Sequence, residues 1–370
     1  MKIKNIIVLS LLMAINITIQ AQDKRIEEVI TLLRNKEYNK AKQLADDLVK
    51  EEETGKNAKV WFYRALVYHN VYETYSTTER DAVEKAYESY MQALALDKDK
   101  HLNNEIIKAL GILANQFVYE GVELFNAGNY TKALNYFEKN MDIGKLPAYN
   151  QIDTIIMYNA ALAAEKSGDL NKAALYFEEL TRMHFGGVAV YEDLAKVYKK
   201  QENEKKFLIC IETGIRSYTQ ESFSLYSELI NYYLEKGKYD LAEEQCVQAL
   251  KLFPESAGLH FINASLNESK GKSDVAEAEY KKTIELDNQY TDAYFNLGSL
   301  YYNKGVDLLK KAMNKEDKSK ADEFYRKALA MYEEVYKLTP DNTETIQLLS
   351  NLYGYLGMPD KQKTMQEKLK

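Results

Sequence analysis

The sequence predicts an all-α chain, an α-solenoid of stacked helix–turn–helix units. Three observations predict it. The 370 residues include only 4 Pro and 16 Gly, about 1% and 4% against typical usage of about 5% and 7%. That leaves too few sharp turns for a β-sandwich or barrel. A pattern recurs at 126–137, 166–177 and 235–246: Gly, an apolar residue two later, Ala five later and a larger residue nine later. Finally, Tyr226, Leu229, Ile230 and Tyr233 recur at i, i+3, i+4 and i+7, one face of a helix. With 46% hydrophobic and 12% aromatic residues, the chain is too apolar to be disordered.

This pattern resembles the tetratricopeptide repeat family, whose unit is a 34-residue helix–turn–helix. The family has large residues at positions 4, 11 and 24, small ones at 8, 20 and 27, and Pro at 32. Nine units register in order. The first (near 22–55) carries Tyr38, Ala41, Ala45 and Leu48. The second (58–100) carries Trp61, Ala65 and Tyr68, then Ala86, Tyr90 and Ala93 after an insertion. The third (101–147) carries Phe117, Gly121, Leu124, Gly128, Ala133 and Phe137. The fourth (154–187) carries Met157, Ala161, Gly168, Ala173 and Phe177; the fifth (188–221) carries Tyr191, Ala195 and Tyr198. The sixth (223–256) carries Tyr226, Tyr233, Gly237, Ala242, Cys246, Ala249 and Pro254. The seventh (257–290) carries His260, Ala264, Gly271, Ala276 and Tyr280. The eighth (291–342) carries Tyr294, Gly298, Tyr301 and Gly305, then Ala328, Tyr332 and Pro340 after a second insertion. The ninth (343–370) carries Leu349, Tyr353 and Gly357. From the fourth unit to the seventh, starts are 34, 35 and 34 residues apart. The resemblance covers nearly all of 22–370 and implies one right-handed superhelix.

Stacking explains the pattern physically. A single hairpin cannot bury its apolar face; neighbours can. Small residues at 8 and 20 let two helices approach, and large ones fill the gaps between hairpins. Six glycines (Gly128, Gly168, Gly237, Gly271, Gly305, Gly357) fall at the turn inside a unit. Gly121 and Gly298 fall at close contacts, and all four Pro fall in connections. The fifth unit departs most. Phe207 stands at the small position 20 and Glu202 at the turn, which predicts altered hairpin packing there.

Three stretches break the period. Residues 101–115 have no slot and are expected to lengthen the first helix of the third unit or to form an extra helix. The second unit prolongs its first helix through Tyr68, Tyr72 and Tyr75, and the eighth inserts 306–320. Both insertions are expected to be lengthened hairpins, serving either lateral packing or partner docking.

Residues 1–21 read as a signal peptide. Lys2 and Lys4 precede an apolar run from Ile6 to Ile19, and small Ala21 offers cleavage before Gln22. The run is short for a membrane span, which needs about 20 residues. The short run and the Ala-Gln junction resemble exported proteins of the Bacteroidetes. Asp153-Thr154-Ile155 resembles the O-glycosylation acceptor of that group. Cleavage would remove two lysines and leave 349 residues with net charge −9, from −7. An acidic excess argues against nucleic-acid binding. No later run is long enough to span a bilayer. The expected product is exported, periplasmic or envelope-associated, and not an integral membrane protein.

Catalytic chemistry is not expected. His69, His101, His184 and His260 have no metal-ligand spacing. No phosphate-loop or nucleophile-elbow motif occurs. Acidic and basic pairs read as solvated helix faces. Cys210 and Cys246 are either small buried thiols or a disulfide. No enzyme activity, cofactor or metal is expected.

By resemblance, first helices line a concave surface at positions 2, 5, 6, 9, 12 and 13. Here those positions include Phe62, Tyr63, Leu66, Tyr158, Asn159, Asn231, Phe261, Ser265, Phe295, Asn296, Ser299 and Tyr302. The Lys and Asn pattern with which family members grip C-terminal carboxylates is missing. The aromatics and amides suit an extended peptide or partner helix. The expected function is a protein-interaction scaffold in envelope assembly or secretion; the alternative is a glycan or small-ligand binding module that uses the same groove.

Overall fold

The computed structural model describes residues 24–311 and 315–369. Those residues form eighteen α-helices and no strand, the all-α class expected. The signal-peptide reading falls on residues 1–21, outside the described residues. The chain divides into two compact units, one ending at Asn203 and one beginning at Glu204.

The first unit holds α1 (Lys24–Arg34), α2 (Tyr38–Leu48), α3 (Ala58–Tyr75), α4 (Ala82–Leu96), α5 (Asn103–Asn126), α6 (Tyr130–Gly144), α7 (Thr154–Ser167), α8 (Leu170–Arg182) and α9 (Gly187–Lys200). The second holds α10 (Glu204–Ser217), α11 (Phe223–Glu235), α12 (Tyr239–Leu252), α13 (Ala257–Ser269), α14 (Ser273–Leu286), α15 (Thr291–Lys311), α16 (Lys315–Leu338), α17 (Thr343–Tyr355) and α18 (Pro359–Lys368). Taken in pairs, these are the two helices of each sequence repeat. Eight pairs lie within one unit. The fifth, α9 and α10, falls on either side of the division.

Local chemistry sets the helix ends. The Asp153 carboxylate opens α7 by accepting from the backbone N–H groups of Ile155 (2.9 Å) and Ile156 (3.1 Å), satisfying donors that have no partner inside the helix. Gly168 closes α7 at φ 88°, a left-handed conformation that strains any residue with a Cβ. Asp169 then caps α8 on the N–H of Lys172 at 3.1 Å. The link between the two helices is thus two residues long.

Small residues let the two helices approach in five of the hairpins. Ala133, Ala173, Ala242, Ala276 and Ala328 are fully buried. A Cβ on Gly121 would meet the Phe137 ring at 2.7 Å, and one on Gly298 would meet the Tyr332 ring at 3.0 Å. These are the close contacts the repeat predicts.

Gly305 is different. It was expected to be a turn glycine, but it lies inside α15 and is buried. A Cβ there would meet the Tyr325 ring at 3.0 Å. The inserted residues carry helical periodicity onward, so α15 runs on to Lys311 and α16 begins at Lys315. Gly305 becomes a second close contact between α15 and α16. Pro359 likewise sits in the first turn of α18 rather than in a connection; its missing N–H has no helical acceptor there anyway.

The other irregular pieces resolve simply. Residues 103–115 continue into the third repeat as one helix, α5, of 24 residues. In the fifth repeat Glu202 takes the left-handed turn conformation without glycine, at φ 55°. Phe207 is buried and packs on Tyr232, ring centroids 4.7 Å apart. Its bulk at a small position is accommodated by the sixth repeat.

Both lengthened hairpins pack laterally on the next repeat. On α3, Tyr72 donates to Glu120 of α5 at 2.9 Å. On α16, Tyr325 stacks edge-on against Tyr355 of α17 at 4.7 Å, and the Tyr355 hydroxyl donates to Asp322 at 2.9 Å.

Candidate functional site

Four of the residues proposed for the groove, Phe62, Tyr158, Phe261 and Phe295, share one repeat position and the same packing. The aromatic at position 5 of a first helix meets the aromatic at position 24 of the second helix in the same hairpin. The pairs are Phe62–Tyr90 (6.1 Å), Tyr158–Phe177 (5.9 Å), Phe261–Tyr280 (5.8 Å) and Phe295–Tyr332 (5.6 Å). Tyr158–Phe177 and Phe295–Tyr332 meet edge-on and the other two pairs are tilted; the ring quadrupole favours edge-on contacts at such spacing.

In the first unit this packing removes two candidates from the surface. Phe62 and Leu66 are 0% and 1% exposed. Helix α3 is buried nearly all round, with Ala65 to His69 covered in succession, as a helix without a polar face must be. Phe62 and Leu66 are therefore core residues, and only half-buried Tyr63 remains at the surface. Tyr158 and Asn159 are half-buried on α7. Tyr158 donates to Asp193 at 2.8 Å. Burial first, then that carboxylate, push its phenol up to about 12.

In the second unit the structure gathers most candidates on two consecutive first helices, α13 and α15. The Tyr280 hydroxyl is their hub. It lies 3.2 Å from Ser265 Oγ, accepts from Asn296 Nδ2 at 3.3 Å, and donates to Glu268 at 2.7 Å. Phe261 covers the Tyr280 ring and also meets Tyr290 at 5.0 Å. One repeat along, Ser299 Oγ lies 3.0 Å from the Tyr332 hydroxyl, and Phe295 covers that ring. Tyr302 packs on Tyr325 at 5.5 Å. Asn231, on α11, is exposed.

These polar atoms supply hydrogen bonds rather than acid–base chemistry. Burial leads the causes that push the Tyr280 phenol up to about 12, so it stays neutral at physiological pH. Sequence reasoning placed Tyr280 and Tyr332 only as packing marks. Their hydroxyls, aimed at Ser265 and Ser299, are the part it missed. The available signal is the coincidence of Phe at 5, Ser at 9 and Tyr at 24 in the seventh and eighth repeats.

Some charged pairs also exceed the solvated faces expected. Lys270 bridges Asp240 and Glu243, each at 2.5 Å, joining the seventh repeat to the sixth. Lys304 bridges Asp274 (3.1 Å) and Glu277 (3.0 Å), joining the eighth to the seventh. Both lysine side chains are about four-fifths buried, at 22% and 21% exposure.

His260 lies between Glu279 (2.5 Å) and the Pro254 carbonyl (2.9 Å). Cys210 and Cys246 are buried and not joined in a disulfide. The Cys246 thiol donates to the Leu259 carbonyl at 3.3 Å, and burial pushes it up to about 12, so it is no nucleophile. Among the described residues, no group of three or more His, Cys, Asp or Glu is placed to hold a metal ion. Among them, too, no helix is long and apolar enough to cross a membrane. A cavity of about 150 Å³ lies between α5, α6 and the following loop, lined by Gly111, Asn140, Tyr149 and Asp153.

Residues 269–305, from the end of α13 through α14 into α15, match the family model of the tetratricopeptide repeat. No curated protein sequence matches the chain significantly. Several solved structures are similar. One is the MamA protein, at 18% identity over 50% of this chain and 90% of that one, with a TM-score of 0.39. Another is PilF of Pseudomonas aeruginosa, at 12% identity over 70% and 92%, with a TM-score of 0.38. A third is the first tetratricopeptide domain of Spaghetti (RPAP3) bound to an HSP90 peptide, at 24% identity over 36% and 93%, with a TM-score of 0.30. All three scores lie below 0.5.

Proposed function

We propose that this chain of tetratricopeptide repeats is an exported scaffold that binds a protein or peptide partner, working in envelope assembly or secretion. A repeat of this kind is in general a protein-interaction module rather than a catalyst. One observation supports the surface chosen. Phe261, Ser265, Phe295, Asn296 and Ser299 stand half-exposed on consecutive helices α13 and α15, positioned by the buried phenols of Tyr280 and Tyr332. Rigid aromatic anchors beside amides and hydroxyls suit an extended peptide or an added helix, because such a ligand presents apolar side chains and polar groups at regular spacing. Export is supported by the basic start, apolar run and small residue of 1–21.

The test is affinity capture from the cell envelope with the wild type and a Phe295→Ala/Asn296→Ala variant. The variant is expected to lose a partner that the wild type retains. Identical partner sets would remove the assignment to this surface.

A further inference from the structure

The first unit contains a buried polar contact that the repeat does not require. Gln116 and Glu120 lie four residues apart on α5, hence on one face of the helix, and that face meets the lengthened part of α3. They are 9% and 4% exposed. Each is half satisfied. Gln116 Nε2 donates to Glu73, and Glu120 Oε1 accepts from Tyr72. Gln116 Oε1 and Glu120 Oε2 are buried without a hydrogen-bond partner.

Both of these atoms are acceptors. A buried acceptor without a donor is destabilising, and more so when charged, so the group that completes this pair must bring N–H or O–H donors. A carboxylate oxygen among them, with Glu73 alongside, favours a donor that is also cationic. The nearest cation is in the same chain. Arg80 Nε is 3.8 Å from Glu120 Oε2, an ion pair beyond hydrogen-bond distance, and its side chain is 51% exposed. It stands by the acceptors without satisfying them. The adjacent α5 residue Tyr119 is 64% exposed, so apolar surface for an incoming segment lies beside the charge.

We propose that Gln116 and Glu120 form a receptor for one arginine or lysine side chain of a partner segment, with Arg80 as a displaceable plug. The guanidinium or ammonium enters from the Arg80 side, Arg80 swings into solvent, and both acceptors gain donors. The receptor lies in the first unit, apart from Phe295 and Asn296, and stands or falls separately from the surface on α13 and α15.

Isothermal titration of the full chain tests it. The probes are an acetylated, amidated Gly-Gly-Arg-Gly-Gly peptide and its citrulline counterpart, which keeps the shape and removes the charge. The arginine peptide is expected to bind the wild type saturably and the citrulline peptide not to bind. Arg80→Ala should tighten binding by about tenfold, because an internal competitor is gone. Glu120→Gln, shape-conserving and checked for folding by its melting curve, should weaken it by at least about tenfold. Equal binding of the two peptides, no gain in Arg80→Ala, or undiminished binding by folded Glu120→Gln would overturn the receptor. So would no binding in any variant, since water alone would then fill the acceptors. If Glu120→Gln does not fold, the citrulline and Arg80→Ala comparisons decide.

Discussion

The Tyr353 hydroxyl donates to Glu333 at 2.7 Å, across the join between the eighth and ninth repeats. The same relationship recurs between position 11 of one repeat and position 25 of the repeat before it. Tyr68 donates to Asp46 at 2.6 Å, and Tyr198 donates to Glu178. The seventh repeat has Lys281 at position 25, and there Tyr301 turns one helical turn back to Glu277 at 2.9 Å. The phenol therefore follows the acid. At these four joins it ties the second helix of one repeat to the first helix of the next.

Tyr353→Phe should test the latch with little change in packing. It removes one hydrogen bond to a charged group, worth about 1.5–3 kcal/mol at most. Lys361, 3.0 Å from Glu333, keeps the carboxylate partnered, so a loss of about 1 kcal/mol is expected. Urea unfolding with an unchanged slope would measure it; full wild-type stability would show that the latch is ornamental.

Much of this was legible in the sequence, and the gaps have physical causes. The repeat period exposed all nine helix pairs, because close packing needs Ala133, Ala173 and Ala276 at fixed spacing. It misplaced Gly305, since a glycine at the turn position and one admitting the Tyr325 ring look alike in sequence. It set Phe62 and Leu66 on a surface, because repeat position alone does not say that α3 is covered on both sides. The Tyr280 hub joins residues from three helices, a proximity no local spacing encodes.

Hairpin closure gives a second prediction. Ala133→Leu, Ala173→Leu and Ala276→Leu each insert three carbons at a fully buried site. Each should cost about 1–3 kcal/mol by overpacking. Gly121→Ala should fall in the same range, because its Cβ would lie 2.7 Å from the Phe137 ring. Unchanged melting temperatures in all of these variants would refute the repeat register.

Export gives a third. Protein recovered from the producing cell's envelope should begin at Gln22, which N-terminal sequencing reads directly. A chain still carrying Met1 in that fraction would sink the cleavage reading.

Acid stability gives the last. His69 is fully buried, and burial lowers it from its ordinary 6.5 to about 4. The folded protein thus binds this proton less readily than the unfolded chain. Its contribution to stability is complete above pH 6.5 and declines as pH falls, until it is lost below about 4. The full loss amounts to about 3 kcal/mol. Glu277 acts in a lower window. Burial alone would raise it, but hydrogen bonds from Lys281, Lys304 and Tyr301 outweigh that and lower it from 4.5 to about 2. Its contribution is present above pH 4.5 and is lost as pH falls through about 2. Between pH 6.5 and 4.5 the two are separable, because the His69 contribution declines there while that of Glu277 is still present. A His69→Gln variant, which cannot take up the proton, should lose less stability than the wild type over that interval. Parallel chemical melts at pH 7.5, 5.5 and 4.5 measure the difference, and equal losses in both proteins would exclude His69 as the sensitive group.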